Sequence, residues 1–159
     1  MENKKFELVA DANIVFLGRK LFRIKALVSF RGVEAGELGG FIEKEENLDH
    51  DGDAWVYGDA KVCGNAKVYG NAWVYGDAKV CGNAKVCGNA DYATIKGFGS
   101  RFRCSTFFRC RDELVRVSCG CFYGTILEFK KQVKETHKET KIAEEYLMIA
   151  DLMEKHFGK

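Results

Sequence analysis

The chain has 159 residues, 47% of them hydrophobic, and its 25 basic and 23 acidic residues leave a formal charge of +2. That length suits one unit with appendages, and the small basic excess argues against a general nucleic-acid binder. No run of about 18 apolar residues and no signal-peptide pattern occurs, so a cytoplasmic protein without a membrane span is expected.

Residues 6–28 read as a β-hairpin, with 13–17 and 21–27 flanking a turn at Gly18-Arg19-Lys20. The glycine-dense stretch 32–42 reads as a first, irregular coil, closed by Asn47 to Gly52. Residues 53–88 are six consecutive copies of a six-residue unit, [Asp/Asn]-Ala-x-Val-x-Gly, and a seventh decays at Asn89-Ala90-Asp91-Tyr92. A fixed hexapeptide period is the signature of a β-helix. Ala and Val sit two apart and share one face of an extended strand, while the residues flanking Val point the other way. The Gly-Asp/Asn step supplies corner chemistry. Outside, Trp55 with Tyr57 recurs at Trp73 with Tyr75, and Lys61 with Cys63 recurs at Lys79 with Cys81, each eighteen residues later. Three hexads therefore make one coil, and like stacks on like.

After the repeat, 101–110 and 114–121 alternate about Asp112-Glu113. A two-residue loop there sets Cys110 opposite Val115, Phe108 opposite Val117, Thr106 opposite Cys119 and Cys104 opposite Cys121. The other face then carries Arg103, Ser105, Phe107, Arg109 and Arg111, with Arg116 and Ser118 across. Thr125-Ile126-Leu127-Glu128 is a capping box opening a helix to about His137. A second, amphipathic helix spans about Thr140 to Phe157.

On the repeat, the chain resembles the hexapeptide-repeat, left-handed parallel β-helix family over roughly residues 33 to 93. The resemblance implies triangular coils of three short strands and side-by-side packing as trimers. More broadly, the segments 21–27, 35–42 (Ala-Gly-Glu-Leu-Gly-Gly-Phe-Ile) and 116–122 resemble small hexapeptide-repeat proteins of bacteria and their phages. The expected fold is thus mainly β. An N-terminal hairpin cap occupies 1–32, a short left-handed parallel β-helix with 18-residue coils occupies 33–93, and a β-hairpin with two α-helices occupies 94–159.

Acyl transfer, the best-known activity of the family, needs a histidine base projecting from a coil, and 53–91 contains no histidine. His50, His137 and His156 read as surface residues. Cys104, Cys110, Cys119 and Cys121 lack the spacing of a metal knuckle and read as alternating core positions. The seven cysteines fit a reducing compartment rather than a disulfide framework. Neither a metal nor a cofactor nor a catalytic residue is assigned. The Trp55/Tyr57/Trp73/Tyr75 face is too aromatic for a solvated surface, and reads either as a subunit contact or as a stacking shelf for a planar ligand. The lysine ladder Lys61/Lys79 reads as a solvated face or as part of an anion site.

Charge is unevenly placed: residues 92–159 carry 13 basic against 9 acidic residues. Arg109 directly opposite Arg116 destabilises a sheet unless a carboxylate such as Glu128 or Glu135, a subunit carboxylate or a bound phosphate intervenes. Together, Arg103, Arg109, Arg116, Trp55, Tyr57, Trp73, Tyr75, Lys61 and Lys79 form the candidate ligand set. The expected function is non-catalytic: a homotrimer that sequesters a small anionic, nucleotide-type signal, cyclic or linear. The phage resemblance sets that role in the host cytoplasm, against immune signalling. The alternatives are a hexapeptide-type acyl- or nucleotidyl-transferase, and a scaffold displaying its C-terminal helices to a protein partner.

Overall fold

Strands β1 (Phe6–Phe16) and β2 (Arg19–Ala26) pair antiparallel, with Phe16 opposite Arg19. The computed structural model describes residues 4–158. Leu17 and Gly18 both take positive φ, 51° and 75°, the pattern of a two-residue type I′ turn whose twist matches that of its strands. The turn therefore falls on Leu17-Gly18 and not on Gly18-Arg19-Lys20. Strand β3 (Leu38–Ile42) pairs antiparallel with β2.

Each hexad contributes one two-residue strand centred on its valine. These are β4 (Trp55–Val56), β5 (Lys61–Val62), β6 (Lys67–Val68), β7 (Trp73–Val74), β8 (Lys79–Val80) and β9 (Lys85–Val86). They pair parallel as β4–β7, β5–β8 and β6–β9, each at an offset of 18 residues, and β3 extends the second pair through β5. All six Ala-Val pairs of the repeat are buried in one core, because alternate residues of an extended strand share a face. The first turn of chain departs from the period: Phe41 opposes Lys61 and Leu48 opposes Val68, an offset of 20. The two additional residues fall between Asp49 and Asp53, whose N–H groups donate to Val68 and Gly70. Asn47, fully buried, satisfies this irregular stretch. Its carbonyl accepts from the Glu43 and Lys44 N–H groups, and its amide donates to Gly64 and Ala66.

The N-terminal segment packs on the aromatic side chains of the repeat. Phe6 and Phe30 both meet the Trp55 ring edge-on, at 6.5 and 5.3 Å between centroids. His50 stacks on Phe6 at 4.2 Å, accepts from the Lys5 N–H at Nδ1 and faces Glu45 through Nε2. It is a half-buried linker, not the surface residue expected, because the residue excess of the first turn swings it onto Phe6.

Beyond the repeat, β10 (Tyr92–Phe98), β11 (Arg103–Arg109), β12 (Val115–Cys119) and β13 (Phe122–Thr125) form an antiparallel sheet in that order. Helices α1 (Ile126–His137) and α2 (Lys141–Phe157) follow. Thr125 and Glu128 make the reciprocal capping bonds expected, at 3.2 and 3.0 Å. The sheet is a layer between two others. Tyr92, Phe108 and Cys110 pack into the core of the repeat, and Lys79 donates its N–H to Thr106 Oγ1 at 2.9 Å. Phe107, Val117 and the partly buried Val115 and Cys119 pack on the helices.

That layering corrects the register. Phe107 opposes Val117, Phe108 opposes Arg116 and Arg109 opposes Val115, one residue away from the pairing expected. The loop has three residues, Arg111 to Glu113, with Cys110 donating its N–H to Leu114 and Glu113 in the left-handed region at φ 69°. A type I turn followed by such a residue is the usual three-residue hairpin. A slip of one exchanges the faces of the whole partner strand. Of the four C-terminal cysteines, Cys104 and Cys110 are buried, Cys119 is half-buried against the helices and Cys121 is exposed. No helix among the described residues is long and apolar enough to cross a membrane.

Candidate functional site

The nine candidate residues divide among several places. Arg116, now on the repeat side of the sheet, binds Asp112 through two hydrogen bonds of 2.9 and 2.8 Å. That fork raises the guanidinium pKa and holds the Asp112 carboxyl below its usual range. Arg109, on the helix side, pairs with Asp91 at 3.3 Å, donates to the Phe157 carbonyl at 3.2 Å and lies over the Phe157 ring. The like-charged pair of the sequence reading is thereby dissolved: the register parts the two arginines, and each has a carboxylate.

Trp55 is enclosed by its own chain and is neither shelf nor contact surface. One turn on, Trp73 is half-buried, donates from Nε1 to the Asp53 carbonyl at 3.1 Å and meets Tyr57 edge-on at 5.6 Å. Tyr75 is 58% exposed, its ring edge-on to Tyr92. The ammonium groups of Lys61 and Lys79 both lie over the Phe16 ring, at 5.7 and 5.4 Å. The β1–β2 hairpin thus covers this ladder. Aromatic and cationic candidates do not meet in one cleft within the chain.

Arg103 behaves differently. It opens β11 and lines a cavity of about 420 Å³ together with Arg101, Gly120, Phe129, His137 and Tyr146. The floor is aromatic and apolar: Phe129 lies 5.6 Å from Tyr146 between centroids, and Phe122 lies 5.6 Å from Phe129. The rim comes from Ser100 and Arg101 on one side, the β12–β13 turn on another, and Gln132, Thr136 and His137 of α1 on the third. At that turn Gly120 has φ 60°, and a Cβ there would lie 2.6 Å from Arg103 Nη1. Glycine therefore lets the guanidinium lie across the turn. Tyr146 donates its hydroxyl to the Phe98 carbonyl at 3.3 Å, and burial, followed by Cys119, pushes its pKa up to about 12.

Among the described residues neither Arg101 nor Arg103 forms an ion pair, whereas Arg19, Arg23, Arg109 and Arg116 all do. No acidic side chain lines the cavity. Its size lies within the roughly 300–1,000 Å³ range of small-molecule pockets, which are mostly apolar with a few placed polar groups. Arg101 sits in the β10–β11 turn, where Phe102 takes a positive φ of 53°, so it is this turn and not strand alternation that brings Arg101 to the cavity of Arg103. His137 and Tyr146 were not open to sequence reasoning, since only the packing of α1 and α2 brings them to the hairpin. No group of three or more His, Cys, Asp or Glu side chains among the described residues is placed to hold a metal ion.

No protein-family model matches the chain, and no match was found among curated proteins.

Proposed function

We propose that this protein binds a small anionic ligand bearing a planar group in the Arg101/Arg103 cavity, without turning it over. The observation that carries the reading is the pair of guanidinium groups lacking an ion pair among the described residues, at the rim of an aromatic-floored cavity with no acidic lining residue. Arg presents a planar fork of donors that suits phosphate or carboxylate, and an aromatic floor suits a base or ring. A nucleotide, cyclic or linear, joins those two chemistries. A binder of this kind acts by withdrawing its ligand from solution, the sequestering role expected from the sequence.

The repeat packs on the opposite face of the sheet that carries this site. We infer that residues 33–93 wind as a left-handed parallel β-helix, a reading supported by parallel pairing at a constant 18-residue offset on three ladders of the hexads. The homotrimer is proposed on a surface other than Trp55. Exposed Tyr75 beside half-buried Trp73 supports packing between copies.

Calorimetric titration with nucleoside monophosphates, cyclic nucleotides and inorganic phosphate tests the binding site. Losing one charge-assisted hydrogen bond costs about 1.5–3 kcal/mol, roughly ten- to a hundred-fold in affinity. Arg101→Ala and Arg103→Ala are expected to weaken binding by that factor, while Arg109→Ala, in a folded variant, leaves it within a few fold. Equal losses in all three variants, or no binding by the wild type, would overturn the assignment. Turnover of an acyl-CoA donor that disappears in His137→Ala would replace it with the transferase reading.

A further inference from the structure

Three cysteines occupy equivalent places in the hexads, yet only two of them stack on each other. Cys63 and Cys81 follow Val62 and Val80, which pair directly in parallel register. Cys87 follows Val86, which pairs with Val68, so its neighbour one turn back is Tyr69. The Cys63 and Cys81 sulfurs lie 3.0 Å apart. Adjacent strands stand about 4.8 Å apart, within the Cα separations of roughly 4.4–6.8 Å that a disulfide spans. Both thiols are buried, at 2% and 7% exposure, in a small cluster with Leu21 and Phe41, against which Ile14 and Phe16 pack. They also line a cavity of about 220 Å³ shared with Leu17, Arg19, Cys121 and Tyr123. A space of that size admits water-sized molecules such as hydrogen peroxide.

We propose that Cys63 and Cys81 are an oxidation site that a small hydroperoxide converts to a reversible disulfide between successive turns of the repeat. The Cys63 sulfur attacks one peroxide oxygen, the O–O bond breaks, and the departing hydroxide takes the thiol proton as water. Cys63 is left as a sulfenic acid. The Cys81 sulfur then attacks the Cys63 sulfur, the S–O bond breaks, and hydroxide leaves with the Cys81 proton as a second water. Two thiols give up two electrons and two protons, and the peroxide is reduced to two waters. The hydrogen bond from Cys81 favours the Cys63 thiolate, the Arg19 charge acts the same way, and burial and Glu43 oppose it. Arg19 is itself held by Glu43 at 2.9 Å. That order of events makes Cys63 the attacking sulfur and Cys81 the resolving one. Cys87, exposed and outside that cavity, serves as an internal control for unassisted oxidation.

The test treats the folded wild type with hydrogen peroxide, then denatures, alkylates and digests it. Trypsin releases Cys63 and Cys81 in peptides of identical sequence, Val-Cys-Gly-Asn-Ala-Lys. The expected product is therefore a symmetric disulfide of that peptide, from protein whose intact mass is one chain less two hydrogens at this pair. Dithiothreitol restores both thiols. Cys81→Ser is expected to leave Cys63 as a sulfenic acid or a higher oxide with no link, and Cys121→Ser is expected to leave the link intact. A link that runs through Cys121, one that appears only between chains, or a Cys63/Cys81 pair still fully alkylated after treatment would overturn the proposal. Mapping of the wild type needs no variant, so a poorly folded substitution leaves it decisive.

Discussion

The two tryptophans of the repeat occupy the same position one turn apart, and the structure treats their indole nitrogens oppositely. Trp73 Nε1 donates to Asp53, whereas Trp55 Nε1 is buried with no partner among the described residues. Replacing each by phenylalanine separates packing from hydrogen bonding. The smaller ring gives up roughly 40 Å² of apolar surface, about 1 kcal/mol at a fully buried site, and the void left behind costs on the order of 1 kcal/mol more. At Trp55 this is offset by removal of an unpaired buried donor, which costs about 1–3 kcal/mol while it is present. Trp55→Phe is therefore expected within about 1 kcal/mol of wild type. At Trp73 the site is only half-buried, so less packing is lost, but a hydrogen bond worth about 0.5–1.5 kcal/mol goes with it. Trp73→Phe is expected to lose about 1–2 kcal/mol. Urea denaturation of both variants measures the difference. A loss of about 2 kcal/mol or more in Trp55→Phe with Trp73→Phe unaffected would refute this, since the Trp55 nitrogen would then have a partner. Trp55→Ala removes the same unpaired donor but the whole buried ring with it, and is expected to cost about 3–5 kcal/mol and to disturb folding rather than assembly.

Lys5 is buried, donates to the Ala54 and Gly52 carbonyls, and is pushed by desolvation down to about 8, with Asp49, Asp53 and Asp51 opposing. Between about pH 8 and 10.5 the unfolded chain binds more protons at this residue than the folded one, so this group's contribution to stability rises with pH across that window. Denaturation of wild type against Lys5→Met over that range is expected to show the gap changing in favour of wild type by up to about 3 kcal/mol; a flat difference refutes the shift. Gly82 has φ 65°, and a Cβ there would collide with the Tyr123 hydroxyl, while Gly76, at φ 71°, has open space around it. Both alanine variants are expected to lose about 1–2 kcal/mol from the left-handed backbone. Gly82→Ala is expected to lose more, with a change in Tyr123 fluorescence or chemical shift, and equal losses would show that Tyr123 moves aside freely.

The periodic parts of this chain were the legible ones. The hexads fixed which residues pair, because a strict period leaves one way to bury Ala and Val together, and Thr125-Glu128 announced α1. The two misplaced hairpin turns share a cause: isolated residues in positive-φ backbone. Leu17 moved the first turn by one residue, and Glu113 lengthened the second hairpin loop by one. Neither residue type advertises that conformation, and the second shift exchanged the faces holding Arg109 and Arg116. Trp55 misled differently. Its position in the hexad does point away from the Ala-Val core, but Phe6 and Phe30, far off in sequence, come back to cover it. Of the candidate site, Arg103 was legible as an arginine on a polar hairpin face. Its partners His137 and Tyr146 reach it only through helix packing.

Strand β11 has no solvent side: residues 104–108 are all buried, alternately against the hexads and against the helices. A strand shared in this way denies the two halves independent melting, since exposing one of its faces strips the other half of its partner as well. The chain is expected to denature in one cooperative transition, and amide protons of 104–108 to exchange with solvent only through global opening. The cavity lined by Arg101 and Arg103 adjoins that stretch, with Arg103 one residue outside it. Its rim thus stands where the backbone expected to exchange slowest meets the exposed β10–β11 turn.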